Sequence, residues 1–573
     1  MSLVVPTDNK ELVTFTTNLV EECRVSVDMR AAYYRLMNSI AETGRYDGNK
    51  SLINLLYKHL ERTSAHIFSP VDLKFSVDFE NSYPKEYYER SKVVAKQLRR
   101  GWEKNNTDIL FGRGTFESLK YGAAIVKQYT DIGPGGKTRY NSRLVMPWQF
   151  GVYNEADNDL NHQHAMTEST SMTLPEIWGR IWHLKDADKL YLRIVANARK
   201  GSKDGNPESF FHQVLSTSQL QTGVNGGGST VPGGIIALNT NPNYAMMGPT
   251  VAAETVDVHE VWVQDGSDYT TILMVEPDII IAPLHKKENL IGVPGRHPYT
   301  LIQPNEVTNW IWGRSELVDL IEPQMLLSVW ADDLRRLFGL QIDKILGMIG
   351  EGGPTDELYG QMRNAGVVTM PAGGQIVDLT PKMPPEAIPM LKFVIDTINT
   401  LSGFPEIMRG QGEPGVRAGV HAGTLLKTAS PTLRDRALLV ERQCAGAAQL
   451  YLDIKEAKNP QTYWTKGETD QDREATSFRL TDLPEDRTVI VDSHSSSPIF
   501  ADENTQLIMA SHTKGIVTSE YVIDNLPYPN KEMAKALNKE AEASKSAMMQ
   551  KLLATNPEVG NKVLLKSLTG GKG

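Results

Sequence analysis

The sequence predicts an α+β protein, because segments with helical periodicity flank a long region of short, strand-like runs. Residues 9–42 have apolar side chains at helical spacing, and Asp8 or Asn9 is suited to cap the start of that helix. From about 138 to 300, β-branched and aromatic runs alternate with Gly, Pro, Asn and Asp, which is typical of strands and hairpins. From residue 312 the helical period returns.

Further helices are predicted on both sides of the strand-rich region. Residues 86–128 are rich in Lys and Arg, and we expect Gly101, Gly112 and Gly114 to break this helix into pieces. The other segments with a helical pattern are 50–66, which is amphipathic, 386–402, 421–457 and 502–557, which is polar.

The segment 312–348 is predicted to be a long helix. Ser315 is a good N-cap, and Glu316 in the first turn suits the positive end of the helix dipole. Pro323 is expected to kink or restart the helix.

Three irregular or strand-containing segments complete the pass along the chain. Residues 200–250 are rich in Gly, Ser, Asn and Pro and predict a long loop or surface excursion. Residues 350–385 form a unit punctuated by Gly and Pro, with two short strands, VVTM and QIVDL. Residues 477–495 contain strands again.

Composition limits the class of protein. The 573 residues carry 60 Lys+Arg against 69 Asp+Glu, a net charge of −9, which argues against tight clamping of nucleic acid. Two cysteines, Cys23 and Cys444, exclude a disulfide scaffold and a Cys-rich zinc site. The N-terminal residues do not have the pattern of a secretory signal peptide, and no run of 18 apolar residues predicts a membrane-spanning helix.

Two glycine-rich matches suggest nucleotide binding, and both lack the required context. DIGPGGKT (131–138) has Asp131 where a phosphate-binding loop requires Gly, and its flanks predict a hairpin instead of a strand followed by a helix. GQGEPG (410–415) fits the dinucleotide pattern but follows a helix and contains Pro414. Turn chemistry explains the first match better than a nucleotide site.

Candidate metal ligands and nucleophiles do not form a recognisable set. Asp332 and Asp333 are adjacent on a helix and point about 100° apart, so they predict a solvated face. His162 and His164 lie in a polar loop and predict a surface hairpin. No catalytic constellation, metal or cofactor is expected, and we predict that the protein is not an enzyme.

An ordered series of elements is more informative than any single motif. An extended strand passes through an aromatic turn into a long helix, a small Gly/Pro-rich unit, a second helix, a glycine-rich loop and a third helix. Together these describe a projecting helical hairpin. The residues that stand out along this series of elements are His297-Pro298, Trp312-Gly313-Arg314-Ser315-Glu316, Gln324, Ser402-Gly403-Phe404-Pro405-Glu406 and Ala422-Gly423-Thr424-Leu425.

In this order of elements the chain resembles the portal proteins of tailed bacteriophages, over roughly residues 20–540. Only the 200–250 excursion has no counterpart in the resemblance. The resemblance implies a portal fold with wing, stem, clip and crown regions, which assembles as a dodecameric ring with a central channel. It assigns 1–312 and 422–495 to the wing, 313–342 and 386–402 to the two stem helices, 343–385 to the clip, 403–421 to a tunnel loop, and 496–573 to the crown and C-terminal tail.

The same resemblance implies roles for particular residues. The tunnel loop that reaches the channel and its following helix would present Arg409, Gly410, Gly412, Gly415, Arg417, His421 and Lys427. The stem would include Trp312, Gly313, Ser315, Gln324, Arg335 and Arg336, with Trp312 expected to pack and not to stack on bases. The clip, which would meet the packaging motor and later the tail adaptors, includes Lys344, Glu351, Asp356 and Arg363.

Residue chemistry suits the tunnel-loop assignment. Six glycines between 403 and 423 fit a loop that changes shape beside moving DNA. Arg409, Arg417 and Lys427 outnumber Glu406 and Glu413 by only one charge, so this stretch would touch phosphates without gripping them. Pairing of these cations with carboxylates of a neighbouring subunit is an equally good interpretation.

The implied function is a virion channel at one capsid vertex, assembled in the cytoplasm of a bacterial host. Its implied partners are further copies of itself, double-stranded DNA without sequence preference, the large terminase subunit, the major capsid protein and scaffold, and tail adaptor proteins, with no membrane. The alternatives are another ring-shaped virion adaptor or tail component, and a nucleotide-binding enzyme. The net charge of −9 fits a conduit, because an acidic wall lets a polyanion slide.

Overall fold

The computed structural model has an α+β fold, as the sequence predicts, and divides into two compact units, Met1–Asp492 and Ser493–Gly573. The described residues are 3–25, 27–46, 51–71, 73–132, 138–182, 184, 186–198, 254–282, 289–342, 346–349, 375–378, 381–403, 431–465, 476–495, 497, 500–525 and 531–555. Several predicted features lie outside these ranges: the 200–250 excursion, residues 133–137 of the phosphate-loop match, the VVTM strand, the GQGEPG match and residues 404–430.

The N-terminal segment forms two helices where the sequence predicts one. Helix α1 (Asn9–Cys23) is capped by the Asp8 carboxylate, which accepts hydrogen bonds from the backbone N–H groups of residues 10 and 11. At Arg24 the backbone leaves helical geometry and its N–H binds the carbonyl of residue 21, so α1 ends. Helix α2 (Val27–Thr43) begins three residues later, and α3 (Leu56–Ile67) follows.

The glycines expected to break the next helix do not break it. Helix α4 (Lys85–Lys104) runs through Gly101, and α5 (Thr107–Tyr121) runs through Gly112 and Gly114. At Gly101 a Cβ atom would lie 2.1 Å from the Tyr451 hydroxyl oxygen. At Gly114 it would lie 2.6 Å from the Ile302 side chain. Gly101 and Gly114 therefore allow close packing of neighbouring elements.

Antiparallel sheets occupy the strand-rich region. One sheet has the order β3-β2-β9 and the other the order β4-β5-β6-β7-β8. Helices α6 (Leu174–Ile181) and α7 (Ala187–Ala196) follow β5. The strands are β2 (Ala124–Ile132), β3 (Thr138–Val145), β4 (Phe150–Val152), β5 (Ala165–Thr173), β6 (Thr255–Asp265), β7 (Asp268–Val275), β8 (Ile279–Ala282) and β9 (Tyr299–Ile302).

The pairing of β2 with β3 shows the structural context of the phosphate-loop match at 131–138. Ile132 is directly opposite Thr138, so the chain that carries the phosphate-loop match joins two strands of a hairpin. A phosphate-binding loop leads from a strand into a helix. The structural context that such a loop requires is therefore missing here.

A buried ionic cluster joins the two sheets. The Lys127 Nζ atom on β2 lies 2.7 Å from a Glu168 carboxylate oxygen on β5 and 2.6 Å from one of Glu260 on β6. The Tyr299 hydroxyl on β9 donates to Glu168 at 3.0 Å, and Arg143 on β3 also pairs with Glu168. Buried charges are tolerated when they are paired in this way.

The helical hairpin region follows β9. A 3₁₀ turn (Val318–Leu320) leads into helix α8 (Ile321–Ile342), and helix α9 (Ala387–Leu401) comes later in the chain. Between them, β10 (Leu346–Ile349) pairs antiparallel with β11 (Gln375–Asp378). The helix predicted over 312–348 is therefore shorter at both ends, and residues 346–348 are strand because they pair with β11.

Helix α10 (Pro431–Lys458) packs on α3, α4, β2 and β9, and its buried face contains Ala437, Val440, Cys444 and Ala447. Short strands complete this unit: β1 (Phe75–Phe79) pairs with β14 (Arg487–Val491), and β12 (Thr462–Thr465) pairs with β13 (Thr476–Arg479). Both cysteines are buried and unpaired, and burial raises the pKa of Cys23 to about 12.

The second unit is helical in its described part. It contains α11 (Ala501–Thr513), α12 (Ser519–Asn525) and α13 (Lys531–Thr555). Across the described part of the chain, no helix is long and apolar enough to cross a membrane.

Candidate functional site: a helical hairpin and the groove at its base

Helices α8 and α9 form an antiparallel pair that is joined by a β-ribbon. The two helices pack against each other, and the C-terminal end of α9 also contacts the 3₁₀ turn that precedes α8. Leu320 and Leu401 line the same groove, so the start of α8 and the end of α9 lie together. The β10–β11 ribbon belongs to the opposite end, because it follows α8 and precedes α9.

Helix α9 exposes most of its apolar surface. Its sequence AIPMLKFVIDTINTL is mainly apolar, yet Val394 and Ile398 are its only fully buried side chains. Met390, Phe393 and Leu401, which we call the apolar stripe, are 51%, 70% and 52% exposed. Their spacing of three and eight residues puts them on one helix face. An exposed row of large apolar side chains is typical of a protein–protein contact.

Helix α8 is buried in its first half and exposed in its second. Its buried side chains are Ile321, Gln324, Leu327, Ser328 and Ala331. Phe338 and Ile342 continue the same face at helical spacing, but they are 47% and 82% exposed. The second half therefore projects beyond the body that covers the first half.

The turn before α8 is held by two glycines in contact. Gly313 has φ +63° and Gly122 has φ +102°, values that favour glycine. A Cβ on Gly313 would lie 2.6 Å from the Gly122 carbonyl oxygen, and a Cβ on Gly122 would lie 2.5 Å from the Trp312 carbonyl oxygen. Only two glycines permit this approach of the turn to the end of α5.

Ser315 fixes the turn instead of capping the long helix. Its hydroxyl accepts a hydrogen bond from the Leu317 N–H at 3.1 Å and donates to the Leu119 carbonyl at 3.3 Å. The Glu316 N–H donates to the same carbonyl at 2.8 Å. Because these bonds tie residues 315–316 to the end of α5, helix α8 starts only at Ile321.

Trp312 is a packing residue, as predicted. Its side chain is buried, and the guanidinium of Arg30 lies over the ring at 4.0 Å from the centroid. The same guanidinium forms an ion pair with Glu155 at 3.4 Å. The indole is thus closed off on one face by the N-terminal helices.

Gln324 attaches α8 to the segment between α2 and α3. Its side chain is fully buried, accepts a hydrogen bond from the Leu55 N–H at 3.1 Å, and donates to the Ile53 carbonyl at 2.7 Å. One turn later, the Ser328 hydroxyl contacts the Ser51 hydroxyl at 2.8 Å. Asp332, another turn along, pairs with Arg45.

A groove of about 710 Å³ lies at the base of the hairpin. Its wall includes Leu401 at the end of α9 and Thr432 near the start of α10. The remaining lining comes from the turn before α8 and the start of α10: Pro304, Asn305, Glu306, Val307, Arg314, Ser315, Glu316, Asp319, Leu320, Asp435, Arg436 and Leu439.

Glu316 organises the charges in this groove. Its carboxylate lies 2.9 Å from Arg436 on α10 and 3.4 Å from the His59 ring on α3, and it accepts a hydrogen bond from Asn305 at 3.0 Å. Burial is the largest influence and would raise the pKa of this carboxyl. The hydrogen bonds from His59 and Asn305 and the charge of Arg436 outweigh it and hold the pKa below the usual value.

The structure brings together some of the predicted site residues. Trp312, Gly313 and Ser315 lie in the turn before α8 and Gln324 lies in its first turn, whereas Arg335 and Arg336 are exposed on the projecting half of α8. The predicted clip residues Lys344, Glu351, Asp356 and Arg363 lie outside the described residues, as do Arg409, Gly410, Gly412, Gly415, Arg417, His421 and Lys427.

Sequence reasoning missed the partners that hold this site. Glu316 was expected only to suit the helix dipole, and no role was predicted for His59, Arg45 or Arg436. These residues are 257, 287 and 120 positions from their partners, respectively. No local pattern reports contacts at such separations; the only signal was the occurrence of charged residues in apolar helical segments.

Ser169, His259 and Glu276, in and beside the five-stranded sheet, are arranged like a catalytic serine site, but a substrate cannot reach the serine. The Ser169 hydroxyl lies 2.8 Å from His259 Nδ1, and His259 Nε2 lies 2.8 Å from a Glu276 carboxylate oxygen. Ser169 is inside β5 and only 2% exposed, so a substrate does not reach it. These contacts are best explained as hydrogen bonds that satisfy buried polar side chains of the sheet.

The other candidate ligands are engaged in ion pairs and hydrogen bonds or are exposed, and Asp332 is half-buried where the sequence predicts a solvated face. Asp332 pairs with Arg45, while Asp333 is exposed on another face. His162 lies 3.4 Å from Asp157, and His164 contacts Gln264 at 2.9 Å. Within the described ranges, no three His, Cys, Asp or Glu side chains are placed to hold a metal ion.

Two solved structures align with most of the chain at low sequence identity. No family model and no curated protein matches the chain. A chain in the structure entitled "Virion of native gene transfer agent (GTA) particle" aligns with TM-score 0.34 and 11% identity, over 84% of this chain and 90% of that one. A chain in "Neck of empty GTA particle computed with C6 symmetry" aligns with TM-score 0.33 and 12% identity, over 86% and 93%. Superpositions this weak do not establish a common fold.

Proposed function

We propose that this protein is a portal subunit, which forms a ring-shaped channel at one vertex of a phage-like capsid. In this role the ring admits DNA driven by a separate terminase, retains it, and releases it through tail adaptors. The proposal includes contacts with the major capsid protein and scaffold. It assigns the protein a mechanical role and no catalysed reaction.

The observation that carries the proposal is the uncovered apolar surface of the hairpin. The apolar stripe on α9 and the residues Phe338 and Ile342 on α8 are unfavourable in water, since each buried CH₂ is worth about 0.8 kcal/mol. Copies of the hairpin packed side by side would cover these faces. Because the two helices expose different side chains, each contact would join unlike surfaces.

Contacts between unlike surfaces produce a ring when the rotation between neighbours closes. Helix α8 has 22 residues, which corresponds to a length of about 33 Å. A barrel of such hairpins would be long enough to line a passage through a capsid wall. The ribbon β10–β11 would lie at one mouth, and the basal groove, lined by Leu401 and Thr432, would lie at the other end of the hairpin.

Native mass spectrometry with electron microscopy of the purified protein tests this proposal. We expect rings of twelve copies with a central opening. The triple variant Met390→Ser, Phe393→Ser, Leu401→Ser is expected to lose rings, because it removes the apolar stripe. A matched control is the variant Val25→Ser, Val71→Ser, Leu192→Ser. It changes apolar side chains outside the hairpin that are at least 68% exposed, and it should still form rings.

Three results would overturn the proposal. A protein that remains monomeric at every salt concentration and with scaffold present cannot form the channel. Rings that survive the triple variant unchanged would show that the hairpin does not join the subunits. Rings without an open channel would favour a different virion adaptor.

A further inference from the structure

Helix α4 carries a concentration of positive charge on an acidic protein. Its sequence KEYYERSKVVAKQLRRGWEK has seven Lys or Arg and three Glu, a net charge of +4, whereas the whole chain is −9. None of the site residues described above lies on this helix. It packs on α5, β1, β12 and α10.

The charges are arranged in a line on the solvent side. Val94, Leu98 and Trp102 are buried, and they define the face that packs on the protein. Lys96, Arg100 and Lys104, which we call the basic stripe, are exposed and lie on the opposite face. Consecutive members are four residues apart, a rise of about 6 Å along the axis.

The acidic residues of α4 are already engaged. Glu86 pairs with Arg90, Glu89 pairs with Lys92 at 2.9 Å, and Glu103 pairs with Arg99 at 2.8 Å. None of these pairs includes a member of the basic stripe. Within the part of the chain that the structure describes, the basic stripe has no carboxylate partner.

A fourth cation increases the local positive charge. Lys455, near the end of α10, is close enough to Lys104 that the two charges repel each other. Burial is the main reason that the pKa of Lys455 is lowered, and the charge of Lys104 adds to it. Like charges held together in this way favour a ligand that is itself multiply negative.

We infer that the basic stripe binds the phosphate backbone of double-stranded DNA, at a surface separate from the α8–α9 hairpin. Phosphates of one strand rise by about 3.4 Å along the DNA axis and also wind around it, so neighbouring phosphates are about 7 Å apart. That spacing matches the stripe within the reach of flexible Lys and Arg side chains. An acidic protein surface lacks this regular, single-sign repeat, which is why DNA is the favoured ligand.

This inference rests on the proposed function, because the portal role is what brings DNA close to the protein. A portal subunit that carries the stripe would hold duplex DNA against its body by non-specific contacts. The contacts would be exchangeable and sensitive to salt, because they depend on the release of counterions.

Binding of a random-sequence 30-base-pair duplex, measured by fluorescence anisotropy over a range of NaCl concentrations, tests the inference. The variant Lys96→Gln, Arg100→Gln, Lys104→Gln should weaken binding at least tenfold at low salt. The slope of log K against log salt should fall by about 2 to 3, because up to three phosphate contacts are lost. The control Lys10→Gln, Lys514→Gln, Lys539→Gln removes the same charge from exposed positions outside the hairpin and should change the slope by less than one.

Other outcomes are equally informative. Equal affinity and slope for the two variants would overturn the inference. A stripe variant that keeps DNA binding but loses binding of poly-glutamate would also overturn it and assign the surface to an acidic protein. Mass spectrometry of the same samples reports rings independently, so failure of the portal proposal is distinguishable from failure of the stripe. Unchanged thermal melting would show that the variants fold.

Discussion

At the scale of single residues, Gly313 has the most demanding environment at the base of the hairpin. It combines a left-handed backbone with a contact that leaves no room for a Cβ. We expect Gly313→Ala to lower the free energy of unfolding by at least about 2 kcal/mol, from backbone strain and displacement of Gly122. Chemical denaturation measures this change.

Gly339 is the matched control for that experiment. It lies within α8, and a Cβ there would meet no atom within 4 Å. Gly339→Ala should raise the free energy of unfolding by roughly 0.5–1 kcal/mol, because Ala is the better helix former. Equal effects of the two substitutions would contradict the described turn.

Glu316 gives a pH-dependent prediction at the same scale. The folded-state pKa of this carboxyl is lowered, so its ionised form stabilises the fold above the unfolded-state value of 4.5. This stabilisation is lost as the pH falls through the folded-state pKa. Between pH 6 and pH 3 the wild type should therefore lose more stability than Glu316→Gln, as measured by thermal melting at each pH. Parallel curves would refute the role of the carboxylate.

At the scale of secondary-structure elements, Lys127 joins the two sheets. It is the buried cation shared by Glu168 and Glu260, and with Arg180 and Arg143 it lowers the pKa of Glu260 to about 2 against the effect of burial. We expect Lys127→Met to cost about 3–5 kcal/mol at pH 8, since it leaves buried carboxylates without their partner. Urea unfolding gives this value.

The cost of Lys127→Met should also depend on pH. Without the lysine, the pKa of Glu260 rises, and protonation then removes the uncompensated charge. The difference from wild type should therefore be smaller at pH 5 than at pH 8. A penalty that is the same at both pH values would mean that lost packing, and not charge, is responsible.

Sequence patterns predicted most elements but not their ends. The helix expected over 386–402 is α9 within one residue, and Asp8 caps α1 as expected. Helix α8, in contrast, begins six residues after Ser315, because the Ser315 hydroxyl and the Glu316 N–H are bound to α5. Gly101 and Gly114 do not break α4 and α5, because they fit against Tyr451 and Ile302.

At the scale of the whole molecule, the segment 404–430 gives a prediction about function. It lies outside the described residues. Leu401 and Thr432, which are close to its two ends in sequence, line the basal groove, and the ion pair of Glu316 with Arg436 is part of the same wall. We expect deletion of 408–418 to leave ring assembly intact and to impair DNA packaging or retention. Electron microscopy and a DNA-packaging assay measure the two effects. Loss of rings would make the segment a structural element instead.

The sequence by itself determined the α+β class, the presence of the two helices of the hairpin and of the long helix after them, and the weakly acidic charge. These properties are encoded locally, in the period of apolar side chains and in composition. Only the tertiary structure decided that Gly122 faces Gly313, that Glu316 meets both His59 and Arg436, and that Met390, Phe393 and Leu401 stay uncovered. The reason is physical: a contact or an exposed face depends on residues brought together from distant parts of the chain, and a local pattern does not record which of them meet.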